Sequence, residues 1–154
     1  MGPQMHESEL LPPLVRHFTS RGYHAIPEVA VANRRADLVA ISEDGLIAVE
    51  LKVSHWRQAL RQAIAYQLWA PLAYVALPFP RAFLVSRHRD RFAAEGVGLL
   101  AVLDEDVRTF FPAGPSPRLF PALTDLVRRR LLPAVPLEAF QGETGERFYG
   151  PARM

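Results

Sequence analysis

The chain reads as an α/β domain with a mixed central sheet flanked by helices. The order of signals is the first observation behind this: helix, two hairpin strands, helix, strand, then helix, strand, strand, helix. The second is Asp44-Gly45 between two apolar runs, the strongest hairpin signal in the sequence. The third is size. With 154 residues, 49% of them apolar, the chain is long enough to bury one real core.

Leu10 to Ser20 places Leu11, Leu14, Val15 and Phe18 on one helical face. Pro12-Pro13 falls in the first turn, where proline is tolerated, and Arg21-Gly22 ends the helix. Tyr23 to Ala32 is a strand or extended segment. Arg35 to Ile41 alternates and is β-branched at Val39 and Ile41, so it reads as a strand. Ser42 to Gly45 is a turn, and Leu46 to Val53 is the returning strand. Ser54 is a good N-cap for a helix from about His55 to Trp69, ended near Pro71. Leu72 to Leu77 is an apolar strand bounded by Pro78 and Pro80. Arg81 to Ser86 reads as a short strand or extended piece, and Arg87 to Glu95 as a basic helix closed by Gly96. Val97 to Leu103 is an apolar strand, and Asp104-Glu105-Asp106 turns the chain into Val107 to Phe111. A Pro-rich loop from Pro112 to Pro121 leads into a helix from Ala122 to Leu132 carrying Arg128-Arg129-Arg130. Residues 1–135 are read as one domain, and 136–154, with Pro, Gly and mixed charge, as an irregular C-terminal tail.

Charged residues make up 22% of the chain, which fits neither a disordered nor a membrane class. No apolar run approaches transmembrane length, and the N-terminus lacks a signal-peptide core. Cysteine is absent, which excludes disulfides, thiol chemistry and Cys-based zinc sites. The chain is expected to be cytoplasmic. Net charge is only +2, but it is unevenly spread. Residues 1–53 carry seven acids and five bases, 54–130 six acids and eleven bases, and 131–154 three acids and two bases. A basic middle beside an acidic N-terminal part fits a metal site next to an anion-binding surface. Solvated helix faces would spread the arginines in much the same way.

Seventeen of the eighteen basic residues are arginine, and the exception is Lys52, in Glu50-Leu51-Lys52. A planar guanidinium and a compact ammonium are not interchangeable, and a site that must hold or deprotonate a water beside a metal needs the ammonium. If Asp44-Gly45 is a two-residue loop, Asp37 faces Lys52, with Glu50 one step away on the diagonal. If the loop is residues 42–45, Asp37 faces Glu50. In either register Asp37, Glu50 and Lys52 share one face, because side chains alternate along a strand. Opposed Cβ atoms lie about 4.5–5.5 Å apart, so two carboxylates there can share one hard cation. Buried without a ligand, they would repel each other and lose hydration. Oxygen-only ligands favour Mg²⁺ or Mn²⁺ over Zn²⁺. An exposed strand face bearing a Glu–Lys pair is the competing account.

Arg35-Ala36-Asp37, then twelve residues, then Glu50-Leu51-Lys52 resembles the PD-(D/E)XK nuclease superfamily. So does Gln62 with Tyr66, spaced i, i+4 on the helix that follows. The resemblance covers roughly residues 7–77, and Ala36 stands where the family's name has proline. It implies a restriction-endonuclease-like fold, three α/β/α layers around a mixed sheet. It also implies metal-dependent hydrolysis of DNA phosphodiester bonds by an activated water, structure-directed, in repair, recombination or defence. Carried over residue by residue, Asp37 and Glu50 would bind Mg²⁺ (or Mn²⁺), with the Leu51 carbonyl as a further ligand. Lys52 would orient or deprotonate the attacking water and stabilise charge on the phosphate. Many members add a glutamate from the first helix, a role for which Glu7 and Glu9 compete. At about 100° per residue, Glu7 falls on the face of Leu11, Leu14 and Phe18 and is the better candidate. Gln62 would contact phosphate or water, with Gln58 able to share the role, and Tyr66 joins the nucleic-acid-binding set.

Arg34, Arg35, Arg57, Arg61, Arg87, Arg89 and Arg91 are candidate nucleic-acid contacts, with Arg81 and Arg128 to Arg130 as further ones. Phosphate contacts give salt-dependent, sequence-tolerant binding. The implied partner is DNA, with RNA left open. Cutting both strands at once takes two active sites, which makes a homodimer an expectation, and the small size favours either a structure-directed nuclease or one that borrows targeting from a partner protein. Trp56 and Trp69 are read as core or dimer residues. The rival class is a catalytically inactive nucleic-acid-binding or scaffold module with the same fold. The intact Asp37, Glu50 and Lys52 argue against it.

Overall fold

Six strands make one sheet in which spatial order equals chain order. The computed structural model describes residues 5–132, and the tail expected over 136–154 lies outside the described residues. The strands are β1 (His24–Val31), β2 (Arg34–Ile41), β3 (Leu46–Leu51), β4 (Leu72–Pro78), β5 (Gly98–Leu103) and β6 (Asp106–Phe111). The helices are α1 (Leu11–Thr19), α2 (Trp56–Tyr66), α3 (Phe79–Val85), α4 (Arg89–Glu95) and α5 (Pro121–Leu131). β1–β2, β2–β3 and β5–β6 pair antiparallel, whereas β3–β4 and β4–β5 pair parallel. Parallel neighbours cannot be joined by a tight turn, and α2 and then α3 with α4 supply the two crossovers. The mixed α/β architecture expected from the order of signals is the one that forms. Among the described residues no helix is long and apolar enough to cross a membrane.

Alternation gives the sheet two buried faces. On one, Leu38, Ala40, Val49, Leu51 and Ala76 pack with Leu10, Leu14 and Phe18, which α1 and the residue before it supply. On the other, Val39, Ile41, Leu46 and Ala48 pack with Tyr66, Trp69, and Val127 and Leu131 of α5. Farther along that face, Val75, Leu77, Leu99 and Ala101 pack with Trp56, Leu60 and Phe92 from α2 and α4. Both tryptophans are therefore core residues. β3 is buried along its whole length, the pattern of a strand covered on both sides. Glu50 is the one charged residue in it.

The β2–β3 register is the one with the longer loop: Ile41 pairs with Leu46 and Leu38 with Val49. A two-residue type I′ turn needs positive φ at both central residues, and neither Asp44 nor Gly45 has it. Instead the Arg128 guanidinium reaches across from α5 and donates to the carbonyls of Ser42 (2.9 Å), Gly45 (3.1 Å) and Glu43. The tight I′-type loop occurs one hairpin earlier. Val31 pairs with Arg34, and Ala32 (φ 51°) and Asn33 (φ 67°) are both left-handed. Two further expectations are corrected. The segment expected as an extended Arg81–Ser86 is helical: through Val85 it belongs to α3, which has Pro80 in its first turn and buries Ala82 and Val85 three residues apart, and Ser86 begins a 3-10 turn. The residue before α2 is His55, in left-handed conformation, rather than Ser54, and α2 ends at Tyr66 rather than Trp69.

Candidate functional site

The β2–β3 ladder ends at Leu38 and Val49, and the next pair of residues, Asp37 and Glu50, would be the next rung. Here a side chain replaces the ladder. The Leu51 N–H donates to Asp37 Oδ2 at 2.8 Å, which fixes the carboxylate against the backbone of β3. Glu50 is only 6% exposed. The Tyr66 hydroxyl, carried by α2, lies 2.6 Å from Glu50 Oε1 and 2.8 Å from the Arg35 carbonyl oxygen. A hydroxyl has one proton to give, so it cannot serve both acceptors at once while Glu50 is ionised. The Glu50 carboxylate, a charged acceptor at the shorter distance, is the partner that takes the proton.

Burial pushes the Glu50 carboxyl from 4.5 up to about 7; the Tyr66 hydrogen bond and the Lys52 ammonium oppose the rise, and Asp37 adds to it. Burial, followed by the bond to Glu50 and the charges of Glu50 and Asp37, raises the Tyr66 phenol above its ordinary range, so it stays a donor. Tyr66→Phe should lift the Glu50 pKa further and cost about 1–3 kcal/mol of stability, the cost of leaving a buried acceptor unpaired. Carbon-detected NMR titration of Glu50 and denaturant melts measure both, and an unmoved Glu50 titration would refute the bond.

Lys52 follows directly after β3. Its N–H donates to the Ala76 carbonyl of β4 at 3.1 Å, and its Nζ lies 3.9 Å from Glu7 Oε2. The structure separates the two competing glutamates. Both lie in a short 3-10 turn, Glu7–Glu9, rather than on an extension of α1, so the helical-face argument for Glu7 does not hold. Glu7 nevertheless reaches Lys52, while Glu9 accepts from the His6 N–H at 2.9 Å. Glu7 does not complete a three-acid cluster: among the described residues no group of three or more His, Asp or Glu side chains is arranged to hold a metal.

Gln62 is half-buried and accepts from Arg34 at 3.4 Å, so it stands over the first residue of β2. Tyr66 is corrected. It is 1% exposed and cannot touch a nucleic acid; it holds Glu50. Its spacing from Gln62 flagged the residue, but burial decides its part. Glu28 is an acid the sequence reading passed over. It interrupts the β1–β2 ladder between the Pro27–Leu38 and Val29–Ala36 pairs, across from Asp37, with φ 57°. Its carboxylate goes to Arg35, at 3.7 Å.

The arginines divide into groups. Arg34 and Arg35 are exposed on β2 beside the site, and Arg61 is exposed on α2. Arg57 and Arg91 lie over the Trp56 ring at 4.5 and 5.5 Å, and His88 stacks on the same ring at 4.7 Å. Desolvation and then the charges of Arg87, Arg57 and Arg91 lower the His88 pKa. Arg89 turns away to cover Phe111 at 4.3 Å.

No protein-family model matches the chain, and no curated protein matches it. One solved structure is similar, the SPO1766 protein of unknown function from Silicibacter pomeroyi, at a TM-score of 0.65 and 17% identity, with 84% of this chain and 86% of that chain covered. At that identity the likeness concerns the fold, and it extends over nearly the whole of both chains.

Proposed function

We propose that this chain is a metal-dependent nuclease of the PD-(D/E)XK kind, with a restriction-endonuclease-like α/β/α fold, hydrolysing phosphodiester bonds in DNA. One observation carries the reading: Asp37 and Glu50 meet at the end of the β2–β3 ladder, each fixed by its own donor, with Lys52 next in line. The residues suit a hard divalent cation, Mg²⁺ or Mn²⁺. Two carboxylates and the Leu51 carbonyl offer oxygen donors only. A buried glutamate pushed up to about 7 beside a second carboxylate is a place where a cation offsets both repulsion and lost hydration. Such an ion, when bound, polarises the phosphoryl oxygen and acidifies water.

The chain's own residues do the rest. The Leu51 N–H and the Tyr66 hydroxyl hold Asp37 and Glu50 at fixed positions. Lys52 orients or deprotonates the attacking water and stabilises charge on the phosphate. Water adds to phosphorus, one P–O ester bond breaks, and the leaving oxygen takes up a proton. Gln62, Arg34 and Arg35 line the approach beside β2, and the Arg57, Arg87 and Arg91 group holds phosphates farther out.

The test is cleavage of a panel of single-stranded, duplex and branched DNA and RNA with and without Mg²⁺ or Mn²⁺. Metal-dependent cutting of at least one substrate is expected. If nothing is cut while binding persists, the chain is an inactive nucleic-acid-binding or scaffold module and the enzyme reading fails.

A further inference from the structure

Phe83 and Leu84, neighbours on α3, are 64% and 55% exposed. At about 100° per residue, they straddle the line opposite the buried Ala82 and Val85. Two large apolar side chains thus form a ridge on a helix whose other face is already packed. The helix that carries the ridge starts close to the candidate site. The Lys52 N–H is bonded to β4 at Ala76, and β4 runs straight into α3. The segment after Lys52 and the first turn of α3 share a cavity of about 220 Å³, lined by Val53, Ser54, Pro78, Pro80, Arg81 and Met5.

Charge frames the ridge. From Phe79 to Phe92 there are four arginines and one aspartate. Arg81 lies at the cavity end, and Arg87 lies just past the far end of α3. A duplex offers such a surface only its phosphates, because its base faces are stacked away. A single strand offers both phosphates and free base faces, and aromatic side chains between cations are how proteins hold one. Self-association through the ridge would bring the same arginines of two copies together.

The geometry points to a track for single-stranded nucleic acid on α3, with an unpaired base stacked on Phe83 beside Leu84 and backbone phosphates held by Arg81 and Arg87. The track leads to Lys52, and in naming the substrate of that site it rests on the nuclease reading.

Fluorescence anisotropy of the full chain in chelator, with labelled oligothymidylate, oligouridylate and a duplex, tests it. Phe83→Ala, an exposed position whose truncation leaves the core intact, should weaken single-strand binding about five- to a hundredfold and leave duplex binding where it was. Phe83→Trp should restore the affinity. Arg87→Ala should weaken all substrates and lower the salt slope by about one. The oligouridylate arm distinguishes a DNA track from an RNA track, and loss with either strand on Phe83→Ala supports the stacking. Single-strand affinity that ignores Phe83, or equal losses on single strand and duplex, overturns it. So does a dimer, seen by sedimentation, that Phe83→Ala dissociates without changing strand affinity. The two readings fail separately. A chain that binds strands through Phe83 but cuts nothing with metal refutes the nuclease and keeps the track; one that cuts while its strand binding ignores Phe83 does the reverse.

Discussion

Lys52→Ala should lower metal-dependent cleavage by about 10²–10⁴-fold, the range set by removing a positioned proton-transfer group. Lys52→Arg should fail nearly as badly, although it keeps the charge. The guanidinium is a broad planar fork, and the ammonium it would replace is half-buried, with Glu7 Oε2 3.9 Å away. Single-turnover cleavage with saturating Mg²⁺ measures both variants, and circular dichroism and strand affinity show that fold and binding persist. Substantial activity in Lys52→Arg would contradict the role assigned here. It would also turn the chain's single lysine among seventeen arginines back into an accident of composition.

Glu50→Gln should abolish cleavage and at the same time stabilise the metal-free protein above neutral pH. The folded carboxyl titrates at about 7 against an ordinary 4.5. At low pH both folded and unfolded chains hold the proton, and the contribution of Glu50 to stability is fully present. As pH rises past 4.5 the unfolded chain releases its proton first, so stability falls until the folded group has also ionised near 7. The gap corresponds to about 3 kcal/mol. In chelator, the wild-type Tm should fall between pH 5 and pH 8 by more than that of Glu50→Gln. Adding Mg²⁺ at pH 8 should raise the Tm of the wild type and leave the variant unmoved. Parallel melting curves for the two proteins would show that Glu50 ionises normally and does not hold the ion.

The strands were legible because their burial is periodic. Arg35 to Ile41 and Leu46 onward alternate between two covered faces, and the sequence shows that as alternation and β-branching. The register between them was left open, because either even loop satisfies the pattern. The loop is closed by the Ser42 N–H donating to the Gly45 carbonyl at 2.9 Å and is held by Arg128, eighty-three residues beyond Gly45 in the chain, and no local signal contains that second contact. α3 was misread for a different reason. A short apolar run bounded by prolines fits a strand or a helix equally well, and only the inward turn of Ala82 and Val85 settles it. The acid pair was legible since one face of a hairpin must carry both carboxylates. The part played by Tyr66 was not. Spacing put it on one side of α2 with Gln62, but only the depth of burial shows that its hydroxyl faces inward to Glu50.

The agreement of strand order with chain order bears on how the site is made as well as where it lies. Each strand can pair with the one before it as soon as it exists, without waiting for a distant segment to arrive. Arg35, Asp37, Glu50, Leu51 and Tyr66 all fall within one short stretch, residues 35–66. Local contacts of this kind form early, because little loop entropy is lost in closing them. The carboxylate pair and its two donors therefore make a cassette that a growing chain can complete before β4, β5 and β6 have been synthesised. β4 then adds the Ala76 carbonyl that holds the Lys52 N–H beside the pair, and the later strands add stability and surface.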